Sequence, residues 1–329
     1  MTPIAPHVAA FLRERLPQQL AASQHTCDTY AYALKLFFEY ASAQLKVAPS
    51  ALVFEQLDAD LLLGFLDHLE RERGNGPSTR NARLAAIKSF LRFVEYREPA
   101  LLDQIRRVMA IPAKRTDQKL VGYLASDEVQ ALLDAPDPTT RVGIRDRAMI
   151  HLCFAAGLRV SELVELPLAS VTLHAEPSVR VLGKGRRERT LPIWKSAAND
   201  VRAWAKSRGD VVASTLFVNA RGGPMTRAGF EYVLRKHVSA AAEKHPTLAT
   251  KTVTPHVLRH TCAMTILQAK GDIRKVSLWL GHADVKTTQV YLRADPTEKL
   301  DAVESIIPPT LRRGRYRAPD HLIALLTDR

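Results

Sequence analysis

The sequence predicts a mainly α protein with a small antiparallel sheet, an all-helical N-terminal domain being followed by an α+β domain. Three observations predict it. Apolar residues recur at helical spacing from about residue 8 to 108, the period shifts toward two between 170 and 193, and helical spacing then resumes as far as residue 280.

Taken in order, helices are expected over residues 8–20, 26–45, 60–71, 78–96 and 100–108, which makes residues 1–110 one helical domain. In the fourth of these, Leu84, Ile87, Leu91 and Val94 fall on one face, while Arg80, Arg83, Lys88 and Arg92 fall largely off it. Such a stripe suits either phosphate contact or an ordinary solvated helix surface. Residues 111–123 carry a proline, a glycine and three basic side chains, Lys114, Arg115 and Lys119, with no helical period, the composition of an interdomain linker. A basic linker could strap across a polyanion or simply be exposed to water.

The second domain is expected over residues 124–310. It opens at Ser126-Asp127-Glu128, a capped helix start with acids in the first turn. An apolar helix over 145–156 ends at Gly157, and Arg159 follows between Leu158 and Val160. Its two readings are an ion pair with Glu162 and a functional cation. Strands are expected on either side of Gly183-Lys184-Gly185-Arg186-Arg187-Glu188, a hairpin whose glycine-flanked tip presents Lys184, with Arg186 and Arg187 placed for phosphate contact. This tip lacks the Gly-Lys-Ser/Thr ending of a Walker loop, so nucleotide hydrolysis is not indicated. A short strand is expected over 215–219, and helices over 196–208, 226–243, 254–270 and 272–280. The chain breaks at Pro308-Pro309 and ends in a basic, then amphipathic tail, 311–329, suited to docking on a neighbouring protomer or to fraying.

Charge narrows the function. The 329 residues hold 47 Lys plus Arg against 34 Asp plus Glu, a net +13. Residues 1–117 contribute 15 basic and 13 acidic side chains, so +11 of the surplus lies beyond them. That is the electrostatic footprint of a polyanion-binding protein, though many basic proteins bind nothing in particular. Cys27, Cys153 and Cys262 are isolated, with neither disulfide nor zinc spacing. No stretch approaches the roughly 20 apolar residues of a membrane helix. A soluble protein of reduced cytosol is expected.

The densest chemistry lies between Thr254 and Tyr291. Thr254 is a good N-cap and Pro255 fits the first helical position, so His256 and Arg259 stand one turn apart on one face. Gly281 closes the next helix, His282 follows it, and Tyr291 comes nine residues later. Arginine's forked donors match two phosphate oxygens, histidine can share a phenol's proton, and a phenol with a pKa near 10 needs such help to attack. His256 and His260, four apart, could instead ligate a metal. No glutamate follows the first and no third ligand is evident, so the H-E-x-x-H pattern fails. His260 reads as a packed, hydrogen-bonded helix residue.

Ala-Gly-Leu-Arg159-Val-Ser-Glu-Leu, Gly-Lys184-Gly-Arg-Arg-Glu-Arg-Thr-Leu-Pro, Thr-Pro-His256-Val-Leu-Arg259-His-Thr and Leu-Gly-His282 with Tyr291 resemble the motifs of the tyrosine recombinase (phage integrase) family, in order and spacing over roughly 120–300. The helical region, through Thr79-Arg80-Asn81, resembles that family's core-binding domain more loosely. The resemblance implies a two-domain clamp on duplex DNA, of the Xer-like or mobile-element kind. Tyr291 would attack the scissile phosphate to leave a 3′-phosphotyrosine and a 5′-hydroxyl. Arg159 and Arg259 would bind the non-bridging oxygens, Lys184 would protonate the leaving oxygen, His256 would assist proton transfer and His282 would support the phosphate. It implies no metal or nucleotide cofactor. It further implies a tetramer on two DNA sites working through a Holliday junction, monomeric or weakly associated without DNA, possibly with a partner recombinase, and located in the cytoplasm at the nucleoid. A type IB topoisomerase and a non-cleaving accessory DNA-binding protein are the rival expectations.

Overall fold

The computed structural model describes residues 2–116, 122–183, 188–281 and 288–294. Lys184, Arg186, Arg187 and His282, together with the tail 311–329, lie outside the described residues. The chain divides into two compact units, Met1–Gln118 and Lys119–Arg329.

The first unit is helical: α1 (Ala5–Ala10), α2 (Gln24–Leu45), α3 (Ala59–Arg71), α4 (Pro77–Glu95) and α5 (Leu102–Ala110). The first expected helix differs from its expectation, passing after α1 into a π-helical stretch, Phe11–Gln19, that contains Pro17. Proline lacks the N–H of an ordinary helical ladder, and the wider winding accommodates that loss. Ser23 caps α2 and Asp58 caps α3 through their side-chain oxygens. The core is aromatic and aliphatic, with Phe11, Phe37, Phe54, Phe65 and Phe90 all essentially buried.

In α4 the four cations do not form one exposed stripe. Arg80 is only 5% exposed and donates to the Asn81 side chain and the Pro112 carbonyl, with Glu70 3.8 Å away. Lys88 donates to the carbonyls of Met109 and Ile111, and burial, with Arg92 and Arg80 nearby, lowers its pKa. The structure thus corrects the expectation of phosphate contact for these two: their charge serves the carbonyls at the end of α5. Arg83 lies over the Tyr32 ring at 4.8 Å, and Arg92 is exposed. Asn81 exchanges two hydrogen bonds with the Lys114 backbone, so the chain stays attached to the first unit through residue 114, beyond the expected start of the linker.

The second unit holds α6 (Ser126–Asp134), α7 (Arg141–Ala156), α8 (Val160–Val164), β1 (Val171–Thr172), β2 (Ser178–Leu182), β3 (Glu188–Pro192), α9 (Lys195–Arg208), α10 (Arg227–Lys244), α11 (Pro255–Lys270), α12 (Ile273–Leu280) and α13 (Gln289–Ala294). The sheet is antiparallel in the order β1-β2-β3, with Val181 opposite Arg189. The strand expected over 215–219 is absent. Two isolated bridges, Pro167 to Thr215 and Val218 to Pro224, stand in its place. Side chains have taken its carbonyls: Trp204 Nε1 donates to Leu216, Arg208 to Thr215 and Arg145 to Val218.

The core of this unit forms around α7, whose residues from Ala148 to Ala156 are all buried. α11 packs on α7 and is held at both ends. Thr254 accepts from the Val257 N–H at its start, while Gly271 closes it in the left-handed conformation. Its middle is tied to the beginning of the unit, where Thr261 Oγ accepts from the Leu124 N–H. A smaller cluster, with Ala263, Met264, Leu267, Val276, Leu280 and Tyr291 at its centre, joins α11, α12 and α13. Among the described residues no helix is long and apolar enough to cross a membrane.

Candidate active site

Two left-handed glycines shape the site's backbone. At Gly157, which ends α7 with φ +58°, an added Cβ would stand 2.8 Å from Leu280 Cδ2 and 3.1 Å from Cys262 Sγ. A side chain there would crowd both atoms and would be strained by the left-handed backbone, which glycine adopts without penalty. The chain therefore turns sharply, buries Leu158 and presents Arg159 in extended backbone as the residue before α8.

Glu162, three residues on, reaches back to that turn. Its Oε2 accepts from the Arg159 N–H at 2.9 Å, and its Oε1 accepts from Arg159 Nη1 at 2.7 Å. From β3, Arg189 donates Nη1 to Oε1 at 3.1 Å and Nη2 to Oε2 at 2.8 Å. Arg259 Nη1 stands 4.0 Å from the same carboxylate. Three guanidiniums thus surround one buried anion. Burial alone pushes the Glu162 pKa up, but the Arg189 side chain, the Arg159 N–H and the Arg159 side chain together hold it below its ordinary value. Glu162 is ionised at neutral pH.

Arg259 is 4% exposed and anchored, donating to the Gly157 carbonyl at 2.5 Å and the Leu280 carbonyl at 2.6 Å. One side chain therefore fixes the C-terminal ends of α7 and α12 together. Burial, reinforced by Arg159, brings its pKa down to about 10, which leaves it a cation at neutral pH. Gly281, with φ +62°, completes the corner, since a Cβ there would lie 3.1 Å from Arg189 Cδ.

The next residue on α11 faces the phenol. His260 Nδ1 and the Tyr291 hydroxyl share a 2.8 Å hydrogen bond, and their rings meet edge to face at 5.5 Å. Burial, then His256 and Arg259, lowers His260 to about 4, so its imidazole is neutral. Tyr291 is 1% exposed. Burial pushes its phenol up to about 12, against the pull of Arg259 and Arg159, whose influence marks their proximity. His256 is exposed one turn earlier on α11, its ring 6.5 Å from that of His260.

Of the six expected catalytic residues, the described structure thus brings Arg159, Arg259 and Tyr291 into one region with His256 at its edge. Lys184 and His282 lie outside the described residues, as do Arg186 and Arg187. Arg159 pairs with Glu162, as the first of its two readings expects, and its side chain remains 29% exposed. Sequence reasoning missed Arg189 and gave His260 no contact with the phenol. A signal for Arg189 existed. Alternation along β3 puts it on the same face as buried Leu191, and an inward arginine requires a carboxylate partner.

The model of the Phage integrase family matches residues 122–298, and that of the phage integrase N-terminal SAM-like domain matches residues 8–98. A putative integrase/recombinase, y4rC of Sinorhizobium fredii, is 41% identical over 325 residues, covering 98% of this chain and 97% of the relative. Tyrosine recombinase XerC of Pelobacter propionicus is 32% identical, covering 94% of this chain and 97% of the relative. Among solved structures, a XerH site-specific recombinase bound to palindromic difH substrate is similar with a TM-score of 0.65 at 22% identity, over 87% of this chain and 81% of that one. A Tn1549 transposon integrase in complex with transposon right end DNA is similar with a TM-score of 0.68 at 15% identity, over 91% and 99%.

Proposed function

We propose that this chain, which belongs to the phage integrase family of tyrosine recombinases, is a site-specific recombinase that cleaves and rejoins duplex DNA through Tyr291. The observation that carries the reading is the adjacency of Arg259 and His260 on α11. One helical turn presents a guanidinium beside the Arg159–Glu162 cluster and an imidazole to the phenol. Cations for a phosphate and a nucleophile therefore converge from segments more than 100 residues apart. Relatives solved on DNA supply the substrate class.

In this reading Arg159 and Arg259 hold the non-bridging oxygens of the scissile phosphate and stabilise the charge that builds on it in the pentavalent transition state. Tyr291 attacks phosphorus, the bond to the 5′-oxygen breaks, and a 3′-phosphotyrosine forms. The phenol's proton leaves by way of His256, Lys184 delivers one to the departing oxygen, and His282 supports the phosphate. The count of protons and phosphoester bonds is unchanged, so rejoining needs no energy source. A tyrosine at 1% exposure meets no phosphate, so in this reading α13 shifts and Tyr291 releases His260 before attack. Four protomers on two sites, sharing C-terminal segments and passing through a Holliday junction, complete the reaction. Arg92 and Arg83, with Arg186 and Arg187, are the remaining candidates for backbone contacts.

The test uses nicked duplexes tiled across the DNA that flanks the gene, built so that the cleaved end diffuses away. Wild-type protein is expected to become covalently trapped and Tyr291→Phe to remain free. Equal trapping of the two removes Tyr291 as nucleophile. Relaxation of any supercoiled plasmid without exchange between sites removes the recombinase reading.

A further inference from the structure

We propose that Arg189 is a positioning residue for the phosphate clamp: it binds both oxygens of Glu162, which leaves Arg159 free to exchange that carboxylate for a DNA phosphate. The inference rests on the reading that Arg159 and Arg259 hold the scissile phosphate.

Arg189 occupies a strand position whose neighbours are apolar, opposite Val181 and two residues before buried Leu191. Its side chain is 11% exposed, and the bare α-carbon of Gly281 closes over its Cδ and guanidinium. Its Nε is buried with no hydrogen-bond partner. An uncompensated buried donor costs stability, so packing does not account for an arginine here. Its function lies in the fork, whose two terminal nitrogens bind the two oxygens of Glu162.

Glu162 has two tasks that conflict. It orients Arg159 through the N–H and the guanidinium, yet at 2.7 Å its charge competes with a phosphate for that guanidinium. Arg189 resolves the conflict by taking up the carboxylate's charge from β3. Without Arg189, the anion would have Arg159 as its one hydrogen-bonded guanidinium among the described residues, and DNA phosphate would have to displace it.

The experiment follows covalent trapping on the nicked duplex described above, using full-length wild type, Arg189→Met, Glu162→Gln and the double variant. DNA affinity is measured in parallel with Tyr291→Phe present to prevent cleavage. Arg189→Met is expected to slow trapping about 100-fold, the scale of losing one transition-state donor, with DNA affinity changed less than about threefold. The double variant is expected to regain about tenfold over Arg189→Met, because removing the anion removes the competitor. A merely structural role predicts the opposite, a double variant as slow as Arg189→Met or slower. That result overturns the proposal, as does trapping by Arg189→Met at the wild-type rate. If Arg189→Met loses its native circular dichroism, Arg189→Lys replaces it. A point charge cannot bind both oxygens, so about tenfold slowing is expected, relieved by Glu162→Gln, and wild-type trapping overturns the proposal. Failure of the wild type itself to be trapped, or trapping of Tyr291→Phe, counts against the recombinase reading. A normal Tyr291 result without the Arg189 pattern counts against this inference alone.

Discussion

A carboxylate at 8% exposure is unfavourable by itself, and Glu162 is tolerated because three guanidiniums and one N–H surround it. Removing one member of such a cluster leaves its partners uncompensated. Glu162→Ala is expected to lower stability by about 3–5 kcal/mol, read as the shift in a urea unfolding curve. Tyr291 and His260 make a second prediction, in which the sign follows from the direction of each shift. His260 is near 4 when folded and near 6.5 when unfolded, so the unfolded chain takes up a proton first and stability falls as pH drops from about 6.5 toward 4. The carboxylates Glu128, Glu162 and Asp200, whose pKa values are lowered, add their loss only below about 4.5. In His260→Phe the upper part of that decline is expected to flatten, and an unchanged slope there contradicts the burial of a neutral imidazole. At the alkaline end, the difference in phenolate absorbance between wild type and Tyr291→Phe is expected to titrate near 12 without DNA. A difference titration near 10 would mean that the phenol is not stored against His260. At this scale the sequence displayed Arg159, Arg259, His256 and Tyr291 as residue types in suggestive order. It did not display Arg189 as a partner of Glu162, because 27 residues and a strand register separate the two.

Elements were legible where local chemistry decides them. Ser23, Asp58, Thr254 and Asp272 begin helices by accepting backbone N–H groups, and Gly157, Gly271 and Gly281 end them in left-handed backbone. Elements decided by distant partners were not legible. The 215–219 stretch has strand composition, but Trp204, Arg208 and Arg145 occupy its carbonyls. In α4, spacing alone put four cations off the apolar face, whereas the carbonyls at the end of α5 draw in Arg80 and Lys88. Substitution separates the two kinds of cation. Lys88→Ala is expected to cost about 1–3 kcal/mol of stability and leave the salt dependence of DNA binding unchanged. Arg92→Ala is expected to leave stability nearly unchanged and reduce that salt slope by about 1. Titrations of binding against salt, with denaturant melts of the same proteins, check both, and a reversed pattern would mean that Lys88 faces phosphate.

For the whole molecule, the surplus of +11 beyond residue 117 lies in the part that holds the arginine cluster and the phenol. Electrostatic attachment of this kind releases counterions, so affinity for duplex DNA is expected to fall by about 10³–10⁵ between roughly 50 and 200 mM salt if 6–10 phosphates are contacted. A flat response would contradict a phosphate-dominated interface. Composition made that attraction visible, and the order of motifs made the family visible. The stored state of the nucleophile was not visible, because it depends on α11, α12 and α13 closing a small apolar cluster over Tyr291. The most direct test of Tyr291 as the group that takes the phosphate is mass spectrometry of the protein after covalent trapping and digestion with trypsin. The account predicts a nucleotide joined through its 3′-phosphate to the peptide spanning residues 287–293, with fragmentation placing it on Tyr291. Attachment at another residue, or through a 5′-phosphate, would contradict it.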